Sequence, residues 1–164
     1  MENDSTQQTL FVSMVIANWD LQNRRLVALL NGLSDEELLS ETASGRNTGT
    51  YILGHLIAVS DGILPLLGLQ DKLYPHLQHI FIDNADKAGL TFPSIATLKE
   101  NLQKVNEVLS QHFKDMPVNE WFTRHLAMTD EDFNKEPQRN KLNILINRTN
   151  HLSYHLGQLI YLKN

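Results

Sequence analysis

The stretch N-H-L-S-Y-H-L-G-Q-L, residues 150–159, places His151 and His155 four positions apart. On a helix such a pair lies about 40° apart around the axis and about 6 Å apart at Cβ, so both imidazoles can bind one metal ion. A helix over residues 142–162 would place both histidines on the stripe that faces the core. The sequence therefore predicts a long helix with two histidines at positions where apolar residues are expected.

A third histidine lies far upstream in a similar setting. His55 occupies the stretch Y-I-L-G-H-L-I-A, and Ile52, Val59 and Ile63 flank it at helical intervals of three and four. The pattern predicts an imidazole in the middle of an apolar helix face. Three inward histidines on two helices form a candidate facial triad, whose remaining coordination positions are open to water or substrate.

A metal ion explains the three histidines better than three separate core roles. A single inward histidine is usually a core residue whose ring nitrogens are hydrogen-bonded. Neutral imidazoles are costly to bury without partners, whereas one divalent cation would satisfy three at once and add binding energy to folding. The chain has no cysteine, so any metal must be held by His, Asp or Glu. We therefore assign His55, His151 and His155 as candidate metal ligands.

The other four histidines fit different roles. His112 lies near the end of a predicted helix, where a cation-capable side chain suits the helix dipole. His76 and His79 are spaced H-x-x-H and are expected on a partly exposed helical face. His125 follows Arg124 and is expected at the surface.

The motifs G-H-L at residues 54–56 and H-x-x-x-H-x-G-Q-L at residues 151–159, with the length between them, resemble the DinB-like (YfiT-type) metal-dependent hydrolase superfamily. The resemblance implies a four-helix bundle with three histidines on a divalent metal, often assembled as a homodimer. It also implies a range of activities. Related proteins include low-molecular-weight thiol S-transferases that use bacillithiol, and mycothiol-dependent isomerases, in which the metal is thought to activate the thiol.

Helical periodicity and capping residues independently predict an all-α fold with four long helices. The first runs from Val12 to Gly32, Asn47 or Thr48 caps the second, Ser94 the third and Asn140 the fourth. No repeat or linker divides the chain, so residues 1–164 are predicted to form one domain.

Shorter signals complete this picture. Ser34-Asp35-Glu36-Glu37 has the form of a capping box and predicts a short helix, while Pro65 is expected to end or kink the second long helix. About 25 residues from Gly68 to Pro93 are long for a bundle connection. A crossover along the bundle explains that length, and gives the up-down-down-up arrangement that the resemblance also implies.

Composition excludes several function classes. Hydrophobic residues make up 41% and charged residues 20%, as in ordinary soluble proteins. The net charge of −5, without a Lys/Arg cluster, disfavours nucleic acid as a partner. The first residues, M-E-N-D, are acidic where a signal peptide is basic, and no apolar run approaches the ~20 residues of a membrane span. A cytoplasmic location without membrane association is expected.

Familiar catalytic motifs are absent from the sequence. No H-E-x-x-H supplies a glutamate base beside a zinc pair, and no E-x-x-H supplies the carboxylates of a di-iron bundle. G-x-S-x-G and phosphate-binding glycine loops are missing too. What remains is a three-histidine metal site as the candidate centre.

Such a site can lower the pKa of a bound water or thiol and present the anion as a nucleophile. Because the chain has no cysteine, a thiol would have to be a small-molecule cofactor. The first hypothesis is therefore a zinc- or nickel-dependent thiol S-transferase acting on a small-molecule substrate. The alternatives are a metal-dependent hydrolase and a non-catalytic metal-binding stress-response dimer.

Polar residues near the open metal position would favour an enzyme. The candidates for orienting an imidazole or touching substrate are Asn23, Asn147 and Gln158, and Arg148 could hold an anionic group unless it forms an outward salt bridge. A homodimer is also expected, because five apolar residues lie off the inner stripes and need cover from the crossover or a second subunit. They are Leu53, Ile57, Leu67, Leu145 and Leu156.

Overall fold

Helices form almost all of the regular structure in this protein. The computed structural model describes residues 2–163, and within them it contains two isolated β-bridges and no longer strand. The helices are α1 (Glu2–Asn31), α2 (Asp35–Leu39), α3 (Gly49–Asp61), α4 (Ile63–Leu66), α5 (His76–Phe81), α6 (Ile95–Asp115), α7 (Asp130–Lys135) and α8 (Lys141–Leu159), with 3-10 segments at Val118–Phe122 and Ile160–Leu162. The predicted all-α fold is confirmed.

Side-chain caps start the helices where the sequence indicated. Ser34 and Glu37 form the reciprocal capping box of α2: Ser34 Oγ accepts from the Glu37 amide at 3.1 Å, and the Glu37 carboxylate accepts from the Ser34 amide at 2.8 Å. Thr48, Ser94 and Asn140 each accept a hydrogen bond from the amide three residues later, at the starts of α3, α6 and α8. Each cap satisfies a backbone donor that the helix leaves free.

A break at Gly62 separates α3 from α4. Pro65, three residues further on, has no amide hydrogen to donate to the carbonyl of Asp61, so the helix cannot continue unchanged through this point. The expectation that the second long helix ends or kinks near Pro65 is confirmed.

The four long helices surround one hydrophobic core. α1 packs mainly on α8, and α3 packs on α6 and α8. Buried side chains from all four meet in the core, among them Trp19, Ile52, Leu102 and Leu152. α1 and α6 lie further apart, and an open groove of about 920 Å³ runs between them. The up-down-down-up order of helix directions stays a prediction.

The crossover between α4 and α6 is packed against the bundle. α5 lies on α3, and Phe81 at its end is fully buried against Gly54. The carboxylate of Asp61, also fully buried, accepts from the amides of Leu73 and Tyr74 at 2.8 and 2.9 Å. These contacts, near the start and near the middle of the segment, hold the crossover on α3.

The apolar residues off the inner stripes are covered within the chain. Leu53, Ile57, Leu67 and Leu145 are at most 1% exposed, and Leu156 is partly buried. Because the chain itself covers them, these residues give no argument for a second subunit.

One helical stretch, Gly49–Leu66, is long and apolar enough to cross a membrane by length and composition alone. Two features favour a core segment instead: 67% of it is buried inside the protein, and the break at Gly62 interrupts it.

Candidate metal centre

Three histidines from two helices meet between α3 and α8. His55 Nε2 lies 3.2 Å from His151 Nε2, which in turn lies 3.1 Å from His155 Nε2. The three nitrogens all lie within 4.8 Å of one another, and all three side chains are partly buried. The structure thus brings together the three residues that the helical spacing selected.

The outer ring nitrogens of two of these histidines have acceptors. His55 Nδ1 donates to the backbone carbonyl of Phe81 at 2.9 Å, and His155 Nδ1 donates to Gln158 Oε1 at 2.7 Å. A proton on Nδ1 leaves a lone pair on Nε2 of each neutral ring. Both lone pairs point toward the third nitrogen, on His151.

A divalent metal ion fits this donor set. His151 Nε2 can supply at most one proton to the two lone pairs that face it, whereas one cation would accept all three nitrogens. Metal–nitrogen bonds of about 2.0–2.1 Å put ligand nitrogens roughly 2.9–3.4 Å apart in octahedral or tetrahedral geometry. The two separations of 3.1 and 3.2 Å fall in that range. His55, His151 and His155 could therefore hold a metal ion.

Burial keeps the imidazoles in the form that binds metal. Desolvation, with smaller contributions from His155, His55 and Arg148, lowers the pKa of His151 to about 4. Desolvation is also the main cause of a lowered pKa at His155, although the hydrogen bond to Gln158 opposes it. Because only a neutral imidazole can donate its lone pair to a metal, both rings are ready to act as ligands at pH 7.

The crossover supplies a part of the site that the sequence did not reveal. The carbonyl of Phe81 orients His55, and Tyr51 stacks on His55 with its ring centroid 6.3 Å away and an interplanar angle of 13°. The hydroxyl of Tyr51 donates to the carbonyl of Asn84 at 2.7 Å, which ties this ring to the crossover. A glycine in a helix interior, Gly54, was the available signal, because such a residue often marks the close approach of another segment.

Of the three polar residues that the sequence suggested as contacts of the site, only Gln158 hydrogen-bonds a histidine of the triad. Gln158 contacts His155 as described above. Asn147 is exposed, and its Nδ2 donates to Asn143 Oδ1 at 3.4 Å. Asn23 is buried, its Nδ2 donates to the carbonyl of Trp19 at 3.0 Å, and it lines the groove between α1 and α6, which none of the three histidines lines. Both amides therefore donate to residues of their own helices and not to a histidine of the triad.

His125 corrects an expectation, because it is buried and not on the surface. It is 6% exposed, and within the described part of the chain its Nδ1 has no hydrogen-bond partner. Burial lowers its pKa, and Arg139 and Arg124 act in the same direction. The polar stretch around it gave no periodic signal from which burial could be predicted.

The remaining histidines lie apart from the triad. His112 is partly exposed, and its Nε2 lies 2.9 Å from Gln70 Oε1, so it is tied to the crossover. His76 and His79 are exposed on α5. The potential metal cluster within residues 2–163 consists of His55, His151 and His155.

Comparison with known families and proteins agrees with this geometry. A family profile described as the DinB superfamily matches residues 18–159, a range that includes all three histidines and the crossover. A search of curated proteins gives no significant match. The family profile covers most of the chain, and the protein therefore belongs to the DinB superfamily.

Proposed function

We propose that this protein is a divalent-metal-dependent enzyme that activates a low-molecular-weight thiol for transfer to a small electrophilic substrate. The observation that carries the proposal is the convergence of three imidazole nitrogens, with Nδ1 of His55 and of His155 anchored so that Nε2 faces inward. Zinc and nickel are the best candidates, since imidazole ligands suit both.

The ligand set favours ionisation of a bound nucleophile. A divalent ion held there would lower the pKa of a thiol or water in its open position. Because the three histidines are neutral, they leave the full charge of the ion in place. Phe81 and Gln158 would fix the direction of two of the rings, and partners of this kind commonly strengthen metal binding by 10–100-fold.

A thiol suits this site better than water does. Hydrolysis at H-E-x-x-H zinc sites relies on the glutamate of that motif as general base, and this sequence has no such motif. The described residues that could share this metal are three histidines, without a carboxylate. A thiolate, once formed, is already a strong nucleophile and needs no general base in the attack. With no cysteine in the chain, the thiol would come from solution.

The first test is metal content, measured by mass spectrometry on untagged protein. We expect near-stoichiometric zinc or nickel in the native protein, and loss of it in the His55→Ala/His151→Ala/His155→Ala variant. Asn147→Ala is the matched control, because Asn147 is exposed on the same helix and its side chain donates to Asn143 and not to a histidine of the triad. Native protein that neither contains metal nor takes up added zinc or nickel would refute the proposal.

The second test separates thiol transfer from the alternatives. Metal-loaded protein is incubated with small thiols and an electrophile, and the loss of free thiol is followed over time. The native protein is compared with the variant that lacks the three histidines. Metal-dependent consumption of thiol supports S-transfer. Ester or amide hydrolysis without thiol consumption would instead indicate a hydrolase, and neither reaction at a loaded site would leave a metal-binding protein without catalysis.

We further propose that two copies associate through the outer face of α1 and α8. Leu10 and Met14 are each 60% exposed and Phe11 is 48% exposed, an unusual density of apolar surface on one helix. Phe11 and Met14 also line a shallow groove of about 250 Å³ that continues onto Ile146 of α8. Light scattering should give a dimer that Met14→Glu converts to monomer, whereas the control Leu39→Glu, at another exposed leucine, should remain dimeric. A native monomer at micromolar concentration would contradict this proposal.

A further inference from the structure

Arg148 is a partly buried cation near the candidate metal centre. Within the part of the chain that the structure describes, no hydrogen bond or ion pair involves its guanidinium. Arg24 and Arg46 also lack such partners, but both are exposed to water. Arg124 and Arg139, by contrast, pair with Asp130 and Glu136. Arg148 alone among these combines partial burial with the absence of a counter-ion, and the outward salt bridge considered from the sequence is not formed.

The position of Arg148 relates it to the triad. It precedes His151 by three residues on α8, a spacing that puts the two side chains on the same helix face with Cβ atoms about 5–6 Å apart. Both side chains are partly buried. Burial also lowers the pKa of Arg148 itself, because the guanidinium is partly withdrawn from water without an acid beside it.

The positive charges near the site have no negative partner among the described residues of the cluster. The three ligand side chains are neutral, and no carboxylate joins their cluster among the described residues. A divalent ion together with Arg148 would then form a concentrated positive region. A partly buried charge is normally paired, since its desolvation is otherwise uncompensated. The guanidinium has a planar fork of donors that matches a carboxylate with two parallel hydrogen bonds.

We infer that Arg148 binds a carboxylate on the thiol whose sulfur occupies the open metal position, so that the substrate class is an acid-bearing small thiol. This inference rests on the proposed function and deepens it. Arg148 is then a specificity-determining residue: it selects among thiols by their charge, while the histidines hold the ion.

The test compares an acid and its uncharged amide on cobalt-loaded protein. Thiolate binding to Co²⁺ produces a charge-transfer absorption band, so dissociation constants for 3-mercaptopropanoate and 3-mercaptopropanamide can be measured by titration without any turnover. Four proteins are compared: native, Arg148→Gln, Arg148→Lys and the control Arg25→Gln. Arg25 is exposed on α1, and its Nη1 donates to Gln22 Oε1 at 3.5 Å.

We expect the preference for the acid over the amide to fall roughly tenfold to a hundredfold in Arg148→Gln, because one charge-assisted pair is lost. Arg148→Lys should retain part of the preference, since it keeps the charge and loses the fork. Arg25→Gln should behave as native protein. Cobalt stoichiometry and melting temperature, measured on every variant, show whether the site and fold are intact.

Two results would overturn the inference, and they are distinguishable. An acid-to-amide preference that is unchanged in Arg148→Gln removes the role of Arg148 and leaves thiol activation standing. Failure of both thiols to alter the spectrum of a cobalt-loaded protein removes thiol activation itself, and the role of Arg148 with it.

Discussion

Replacement of Gly54 by alanine tests whether the crossover holds the metal centre in place. A Cβ atom at this position would lie 2.3 Å from Cζ, 2.4 Å from Cε1 and 2.5 Å from Cε2 of Phe81. Ordinary van der Waals contact begins near 3.4 Å, so the ring must move by about 1.1 Å (3.4 − 2.3). Phe81 is fully buried, and its carbonyl accepts from His55, so it cannot move freely.

The net effect on stability follows from two opposing terms. Overpacking of a core costs about 1–3 kcal/mol. Removal of a glycine from a helix interior contributes about 0.5–1 kcal/mol in the opposite direction. Gly54→Ala should therefore lower the free energy of unfolding by up to about 2.5 kcal/mol, which corresponds to at most roughly 10 °C in melting temperature for a chain of this size. Displacement of the Phe81 carbonyl should also weaken metal binding by about tenfold or more.

Gly157 provides a matched control on α8. It lies two residues after His155, it is exposed, and nothing approaches the position of its Cβ within 4 Å. Gly157→Ala should therefore stabilise the protein by about 0.5–1 kcal/mol and leave metal affinity unchanged. Urea denaturation and zinc titration of both variants test the reasoning. It fails if Gly54→Ala is as stable as native protein with unaltered metal affinity, or if the two glycine variants behave alike.

Four further predictions concern the surroundings of the site. Gln158→Leu removes the acceptor of His155 Nδ1 and should weaken zinc binding about 10–100-fold, whereas Asn147→Ala should not; equal affinities in a competition titration would contradict this role. Asp61→Ala leaves two crossover amides without their acceptor and should cost about 2–3 kcal/mol in urea denaturation, and a cost below about 0.5 kcal/mol would show that water replaces it. Burial lowers the pKa of His151 to about 4 and also lowers that of His155, so neither ring should take up a proton near pH 6.5 in the metal-free folded protein; an NMR titration in which His151 titrates at pH 6.5 would contradict this. The metal-free protein should lose stability as the pH falls from 6.5 towards 4. In this range the unfolded chain takes up a proton at His151, whereas the folded chain does so only near pH 4.

The sequence was sufficient to predict the helices and the face of each helix that carries its histidines, because both depend on local regularities. Helical periodicity assigns each histidine to a face, and a capping residue fixes where each helix begins. His151 and His155 are held together by helix geometry alone. His55 meets them because α3 and α8 bury their apolar faces against each other, and the imidazoles are part of those faces.

The features that could not be predicted depend on contacts without a periodic signal. The acceptor of His55 is a backbone carbonyl of Phe81, and every residue carries such a group, so side-chain identity does not indicate it. The position of Asn23 on the inner stripe of α1 makes it a candidate contact of the site, but a stripe does not specify which neighbouring helix it faces. His125 lies outside the long helices, where burial depends on tertiary packing alone.

The residues of the site are far apart in the sequence, so the site forms late during folding. Phe81 lies 26 positions from His55, and His151 lies 96 positions from it, so the centre exists only after the crossover has docked and α8 has packed on α3. Contacts of such long range generally form late in folding. An ion that binds only this late arrangement would slow unfolding and leave the folding rate nearly unchanged. Metal would then govern how long the native protein survives, and not how quickly it forms.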